Sequence, residues 1–245
     1  MIKNTRRVQR GEASLSRERI IEAAIALLDG AGESGLTFRA LAERLATGAG
    51  AIYYHVDNKT DLLNAAADAI VAAVLPAPAA PATGDAPVVT APDASVAAAA
   101  DASPQTAVRA IALAVFDAID GHPWLGSALM QAPSALPMVR ILESLGQQIR
   151  ALGVAESAQW QAVSALLHYI IGVAGQNAAN AQTARARNAV RDDFLGAVAD
   201  GWAQLDAVHF PFTRGIAARL RVHDDRADFL AGVDYILTGV STAGL

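Results

Sequence analysis

The chain lacks cysteine and long apolar runs, and each absence excludes a class of protein. Without cysteine, its 245 residues have no disulfide framework, thiolate metal site, iron–sulfur cluster or cysteine nucleophile. No segment has the roughly 20 apolar residues that a membrane-spanning helix needs, and the amino terminus lacks the apolar core of a signal peptide. We therefore expect a cytoplasmic protein with no membrane partner, metal or cofactor.

Enzyme motifs are also missing. The sequence has no G-x-S-x-G nucleophile elbow, P-loop, H-E-x-x-H pair or G-x-G-x-x-G turn. Scattered acidic residues leave an all-α enzyme as an alternative, which turnover by residues 105–245 would support. The short run His223-Asp224-Asp225 reads as the acidic start of a helix, because three adjacent residues do not converge on a metal.

The charge is divided unevenly along the chain. Up to Lys59 there are nine basic and seven acidic residues, whereas the rest carries ten basic and seventeen acidic ones. A basic end attached to an acidic body is typical of a protein that meets a polyanion through one region only.

Apolar residues recur with helical spacing throughout, which predicts an all-α fold. Residues 76–104 hold six of the ten prolines and no large apolar side chain except valine, so they read as a flexible Ala/Pro-rich linker. The predicted organisation is a basic arm over 1–15, a three-helix helix-turn-helix domain over 16–75, this linker, and a ligand-binding and dimerisation domain over 105–245.

Two short predicted helices, 37–45 and 48–55, are joined by a turn that contains glycine, as in a helix-turn-helix. Arg39 lies on the polar side of the first helix, from which its guanidinium can fork onto guanine. The other candidate contacts are Ala49 and Ala51 for thymine methyl groups, and Thr47, Tyr53 and His55 for phosphate oxygens.

Lys59 and two glycines, Gly48 and Gly50, also indicate that the predicted helix-turn-helix region contacts DNA. If Asn58 caps a helix, the Lys59 ammonium opposes the helix dipole by about 0.3–1 kcal/mol, and a bound phosphate would reverse that penalty. The alternative is a solvated surface lysine. Gly48 and Gly50 predict close approach of the backbone to DNA; alternatively, Gly48 makes the turn and Gly50 relieves helix packing.

The segments LTFRALAERL at 36–45 and AGAIYYHVDNKTDLL at 49–63 resemble the DNA-binding domain of TetR-family transcriptional regulators. The resemblance implies a homodimeric repressor that binds a palindromic double-stranded DNA operator and releases it when a small-molecule inducer binds. The resemblance also implies roles for individual residues. Arg39 would read a base, and Lys59 would clamp a phosphate. Tyr53 and His55 would contact phosphate or groove, Thr37 would approach the DNA backbone, and Tyr54 lies in the same run of contact residues.

The second half resembles the carboxy-terminal domain of the tetracycline-repressor branch, at HPW 122–124, the 142–152 helix, HFPF 209–212 and 229–240. Dimerisation by two helices per subunit is implied for 156–175 and 226–241. The first of these would present Trp160, Val163, Leu167, Ile170 and Ile171. The sequence has no histidine near Leu129, where the tetracycline repressor has a magnesium ligand, so a tetracycline–metal inducer is not supported.

A regulatory pocket is mostly apolar with a few polar groups. The candidate lining residues are Phe116, Trp124, Met130, Met138, Trp160, His168, Tyr169 and Asn177. Each could instead be a core residue, and a regulator with a filled core would take its signal from a protein partner. A partly polar cavity within 105–245 would favour control by a small-molecule ligand over control by a protein partner.

Overall fold

The computed structural model describes residues 15–75, 103–186 and 191–243. Every regular element in these ranges is helical, which confirms the all-α fold. The predicted basic arm lies outside the described residues except for Leu15. The predicted linker lies outside them up to residue 102, and its last two residues already belong to a helix start, where Ser103 is the cap and Pro104 the first helical residue.

The contacts divide the chain between Ala66 and Ala67. The first unit holds α1 (Arg17–Gly35), α2 (Phe38–Leu45), α3 (Ala49–Tyr53) and the start of α4 (Lys59–Val74). The division therefore falls within α4, before the boundary at residue 75 that the sequence suggests.

Side-chain caps set the starts of three of these helices. The hydroxyls of Ser16 and Thr37 and the amide oxygen of Asn58 each accept a hydrogen bond from a backbone N–H in the following first turn. The helices enclose a small apolar core, whose fully buried members are Ile20, Ala24, Leu28, Leu36, Leu41, Ile52, Val56, Leu62 and Ala66.

The turn between α2 and α3 is built on alanine. Ala46 adopts the left-handed conformation, with φ 52° and ψ 44°, and its N–H is directed at the carbonyls that end α2. Gly48 has φ −88° and ψ 149°, an extended conformation open to any residue. The idea that Gly48 makes the turn is therefore wrong, and α3 ends two residues before the predicted His55.

Every regular element in the described part of the second unit is a helix, beginning with the end of α4. The elements that follow are α5 (Pro104–Gly121), α6 (Leu125–Gln131), α7 (Leu136–Ala151), α8 (Glu156–Ala186), α9 (Arg191–Ala203), α10 (Pro211–Ile216), a 3₁₀ helix (Ala217–Val222) and α11 (Asp225–Ala243). The sequence did not predict the pieces over 211–222. They are short and mostly exposed, and arginine contacts to the α9 region, Arg214 to the Leu205 carbonyl and Arg221 to Asp200, hold them.

Two ion pairs align α5 with α11. Arg109 Nε lies 2.5 Å from Asp234 Oδ1, and Arg226 Nη2 lies 3.0 Å from Asp117 Oδ2. The pairs lie about two helical turns apart and run in opposite directions along the two helices. They set α5 and α11 antiparallel.

The second half of α4 is tied to α7 within the same unit. Arg140 Nε donates to Asp68 Oδ1 at 2.7 Å, and both side chains are partly buried. This hydrogen bond raises the pKa of the Arg140 guanidinium. The helix that begins at Lys59 thus ends in contact with α7.

No helix in the described ranges has the length and apolarity required to cross a membrane. In the same ranges, no three histidine or carboxylate side chains gather as metal ligands would. Asp224 instead accepts the backbone N–H groups of Arg226 and Ala227 at the start of α11, which lowers the pKa of its carboxyl group.

Candidate nucleic-acid interface and ligand cavities

All nine predicted DNA contacts lie in the first unit, on α2, α3, the flanking segments and the first residue of α4. Thr47 and His55 are half-buried and the other seven are exposed, namely Thr37, Arg39, Ala49, Ala51, Tyr53, Tyr54 and Lys59. The surface that they form is called the α2–α3 face below.

Arg39 is available for a new partner. Its side chain is 89% exposed, and its Nε donates to Glu43 Oε1 at 3.0 Å, one turn further along α2. An exposed pair of this kind contributes only about 0.3–0.5 kcal/mol. A guanine edge can therefore replace Glu43 at little cost.

The aromatic residues at the end of α3 differ in their packing. The Tyr53 ring stacks on Phe38, with centroids 4.3 Å apart and planes 12° apart. Tyr54 is 88% exposed and meets the His55 ring edge-on. The sequence reading missed Phe38, although its place directly after the Thr37 cap put it on the helix next to α3.

Lys59 already has one partner. Its Nζ donates to the carbonyl of Glu33, in the last turn of α1. That carbonyl lies just beyond Gly32, whose φ of 63° interrupts the helix. An ammonium group carries three donors, so Lys59 can connect α1 to α4 and still bind a phosphate.

The two glycines at the start of α3, Gly48 before it and Gly50 within it, are not required by the packing of the protein itself. A Cβ atom built on Gly48 or Gly50 would meet nothing within 4 Å. Gly50 therefore does not relieve helix packing, which was the alternative explanation. Gly48, Ala49, Gly50 and Ala51 carry no large side chain. The backbone at the start of α3 is therefore open to close approach by DNA.

The predicted ligand residues do not form one site. Met130, Met138, Trp160 and His168 line a cavity of about 300 Å³, called the apolar cavity below. Ser164 and His168 lie within hydrogen-bonding distance there, Oγ to Nδ1, at 3.2 Å. The remaining lining residues are Pro133, Leu142, Leu167, Ile171 and Gly172.

Phe116, Tyr169 and Asn177 line a different space, called the polar cleft below. It comprises two adjoining cavities of about 390 and 190 Å³ that share Asn177, Asn180 and Asp225. Trp124 lines neither space and is buried in the core. The prediction of a single site was wrong because adjacent helical residues such as His168 and Tyr169 point about 100° apart.

The predicted dimer face also needs correction. Val163, Leu167, Ile170 and Ile171 are all at most 6% exposed, so they belong to the core of their own subunit. Only Trp160, at 66%, is exposed. The exposed positions of the two helices are small or polar instead: Ala165, His168 and Gly172 on α8, and Ala227, Ala231 and Tyr235 on α11.

An exposed helix-turn-helix on one unit and a helical second unit with cavities define a transcriptional regulator of the helix-turn-helix class. The family model "Bacterial regulatory proteins, tetR family" matches residues 20–66. The solved structure of SCO7222, a TetR regulator from Streptomyces coelicolor, is 47% identical over 95% of this chain and all of its own, with a TM-score of 0.77. The chain belongs to the TetR family of DNA-binding transcriptional regulators, as its resemblance predicted.

Two further relatives extend the comparison. The class C tetracycline repressor protein from Escherichia coli is 47% identical over 57 residues, which are 23% of this chain and 26% of the repressor. ActR from Streptomyces coelicolor, solved in complex with actinorhodin, matches 95% of this chain and 98% of its own at 19% identity and a TM-score of 0.72. The ActR match shows a shared fold.

Because the surface around Gly50 is open, a single substitution there should stabilise the fold and at the same time weaken DNA binding. Gly50→Ala is expected to raise the free energy of unfolding by up to about 1 kcal/mol, because alanine is the better helix former. It is expected to weaken DNA binding, because the added methyl group keeps the DNA backbone away. Urea unfolding and fluorescence anisotropy measure the two effects.

Gly30→Ala in α1 is the matched control, since its Cβ would also meet open space. It should stabilise the protein similarly and leave DNA binding unchanged. If Gly50→Ala bound DNA as tightly as the wild type, the glycine would have no role in close approach.

Proposed function

We propose that the protein is a homodimeric repressor that binds a palindromic operator through the α2–α3 face and releases it when a small apolar molecule enters the apolar cavity. The observation that carries the proposal is the bare α3 backbone between Arg39 and Lys59, for which the first unit has no use. A repressor of this kind acts in the cytoplasm, where it reaches the chromosome.

Base recognition rests on few side chains. α3 enters the major groove, where Ala49 and Ala51 contact thymine methyl groups. Arg39 exchanges Glu43 for the O6 and N7 atoms of a guanine. Because these contacts are few, much of the affinity comes from the phosphate backbone.

Phosphate contacts surround that centre. The Thr37 oxygen accepts the Ala40 N–H at 3.1 Å, so its own O–H remains free to donate to a phosphate. Lys59 uses its remaining N–H groups on a phosphate beside the start of α4, where backbone N–H groups also favour an anion. The other phosphate contacts are Thr47, Tyr53, Tyr54 and His55.

Two substitutions separate base reading from phosphate binding. Arg39→Ala should cost about 1–3 kcal/mol on the operator and little on random DNA. Lys59→Met should weaken binding to all sequences and reduce the salt slope by about one. The measurement is fluorescence anisotropy over a salt series, with DNA from the region upstream of the protein's own gene.

Arg219→Ala, an exposed arginine in the second unit, is the charge-matched control and should bind DNA like the wild type. Unchanged operator affinity in both the Arg39 and the Lys59 variants would refute the assignment of these residues.

The homodimer is proposed on the outward faces of α8 and α11. Ala165 and Gly172 on α8, and Ala227 and Ala231 on α11, are small and exposed, so two helices of another copy can approach closely. Tyr235, 79% exposed, supplies an aromatic group to bury in the contact. Two α3 helices held in this way read half-sites about one DNA turn apart.

Ala231→Arg is expected to produce a folded monomer, because the side chain is exposed within its own subunit and blocks only the partner. Operator affinity should then fall at least about a hundredfold, since one half-site is lost. Analytical ultracentrifugation and anisotropy measure the two changes. Ala110→Arg on α5, also exposed, should remain dimeric; a dimeric Ala231→Arg would place the interface elsewhere.

Inducer binding acts through α7. The apolar cavity is lined by Met138 and Leu142, which flank Arg140 on the same helix. Arg140 is paired with Asp68 of α4, and α4 begins at Lys59. A ligand that displaces α7 therefore moves α4 and with it the spacing of the two α3 helices.

Filling the apolar cavity should abolish the response to the ligand. Ser164→Leu places a larger apolar side chain on the cavity wall, and binding of the apolar dye anilinonaphthalenesulfonate should fall at least about tenfold while operator binding persists. Ser157→Leu, exposed on the same helix, is the control. Unchanged dye binding by Ser164→Leu would remove this cavity from the mechanism.

A further inference from the structure

We infer that the polar cleft is a second ligand site, separate from the apolar cavity, and that it takes a neutral, planar aromatic molecule with hydroxyl groups on its edge. The cleft lies where α5, α8, α9 and the start of α11 meet. The inference does not depend on the apolar cavity or on the operator.

One wall of the cleft is a stack of aromatic rings from three helices. The Phe116 and Phe229 centroids lie 4.6 Å apart, and Tyr169 and Phe229 lie 5.7 Å apart with planes 10° from parallel. All three rings line the cleft. Phe116 and Phe229 are almost fully buried, and the partly exposed Tyr169 presents the most accessible surface. A flat aromatic ligand can extend this stack, since offset stacking is the preferred aromatic arrangement.

Tyr169 is held in place as part of that wall. Its hydroxyl donates to the Phe229 carbonyl at 3.1 Å. Burial, with the nearby Asp228 carboxylate, raises the pKa of the Tyr169 phenol, so it stays neutral. A Cβ on Gly232 would collide with the tyrosine ring, so the glycine provides the space that it occupies. The O–H donor of the phenol is therefore already used, so an acceptor group on a ligand must find its donor elsewhere.

The free hydrogen-bonding groups beside the aromatic rings are amides. Gln176, Asn177 and Asn180 come from one stretch of α8 and line the walls of the cleft. Within the described part of the chain, none of their side chains has a hydrogen-bond partner. Each amide offers both donors and an acceptor, which suits the hydroxyl and carbonyl groups on the edge of a ring.

The charged groups beside the rings are paired, whereas Asp120 and Arg185, which have opposite charges, line the larger part of the cleft. Asp225 Oδ2 accepts from Arg191 at 2.7 Å, and its Oδ1 lies 2.9 Å from His223 Nε2. His223 Nδ1 lies 2.6 Å from Asp228 Oδ2. Both ring nitrogens of the histidine are thus in use, which leaves it no free nitrogen for a metal. The network therefore has no unpaired charge that would attract an ionic ligand.

The dimensions agree with this class of ligand. The larger part of the cleft, about 390 Å³, falls within the range of small-molecule sites, and the smaller part of about 190 Å³ adjoins it beside the rings. A flavonoid-sized molecule placed against Tyr169 would bring its polar edge to the α8 amides.

Isothermal titration of the full chain with quercetin, a polyhydroxylated flavone, tests the inference. We expect saturable binding that Asn177→Leu weakens at least about tenfold, because removing the amide leaves ligand hydroxyls unpaired. His168→Ala, in the apolar cavity, should bind quercetin like the wild type. Flavone without hydroxyl groups should bind at least about tenfold more weakly than quercetin.

Three results would overturn the inference: no saturable binding of quercetin, equal affinity for flavone, or a loss of binding in His168→Ala but not in Asn177→Leu. Asn180→Leu, at an exposed position, decides the matter if Asn177→Leu fails to fold. Operator binding by the same preparations is measured separately, so a failure at the cleft is distinguishable from a failure of the proposed repressor function.

Discussion

A helix as short as α3 cannot hold its own position, because a single turn of helix is not stable in water. Its place depends on the burial of Ile52 and on the stacking of Tyr53 against Phe38. Ile52 is buried, and the Tyr53 ring packs on Phe38 although about half of its surface stays exposed, so the positions before them are free to be glycine and alanine. These anchors thus allow a recognition helix whose first three residues carry no side chain larger than a methyl group.

Helix α8 carries several proposed roles at once because it is long and has a different neighbour on each side. Residues around Leu167 and Ile171 complete the core and one wall of the apolar cavity, while Tyr169 and Asn177 face the polar cleft. The exposed positions Ala165 and Gly172 are left for a second subunit, and Gly172 also lines the apolar cavity. Because the same helix borders both proposed ligand spaces and the proposed dimer contact, a ligand in either space could bias the dimer.

The helical architecture and the DNA-binding segment could be predicted from local patterns. Helical spacing indicated an all-α chain, and the caps at Thr37 and Asn58 and the run from Ile52 to Lys59 identified the helix-turn-helix. Local patterns were weaker over 211–222, where exposed short helices depend on arginine contacts to distant carbonyl and carboxylate groups. They also could not show that Gly48 and Gly50 are surrounded by open space.

The sequence by itself determined the fold class, the family resemblance and the set of residues available for DNA contact, because these follow from local spacing and capping. Only the tertiary structure decided how the ligand candidates are divided, since His168 and Tyr169 are neighbours in sequence but face different spaces. It likewise placed Val163 and Ile170 in the core of their own subunit. Helical periodicity identifies a buried face but not the element that buries it, because core packing and subunit contact select the same apolar residues.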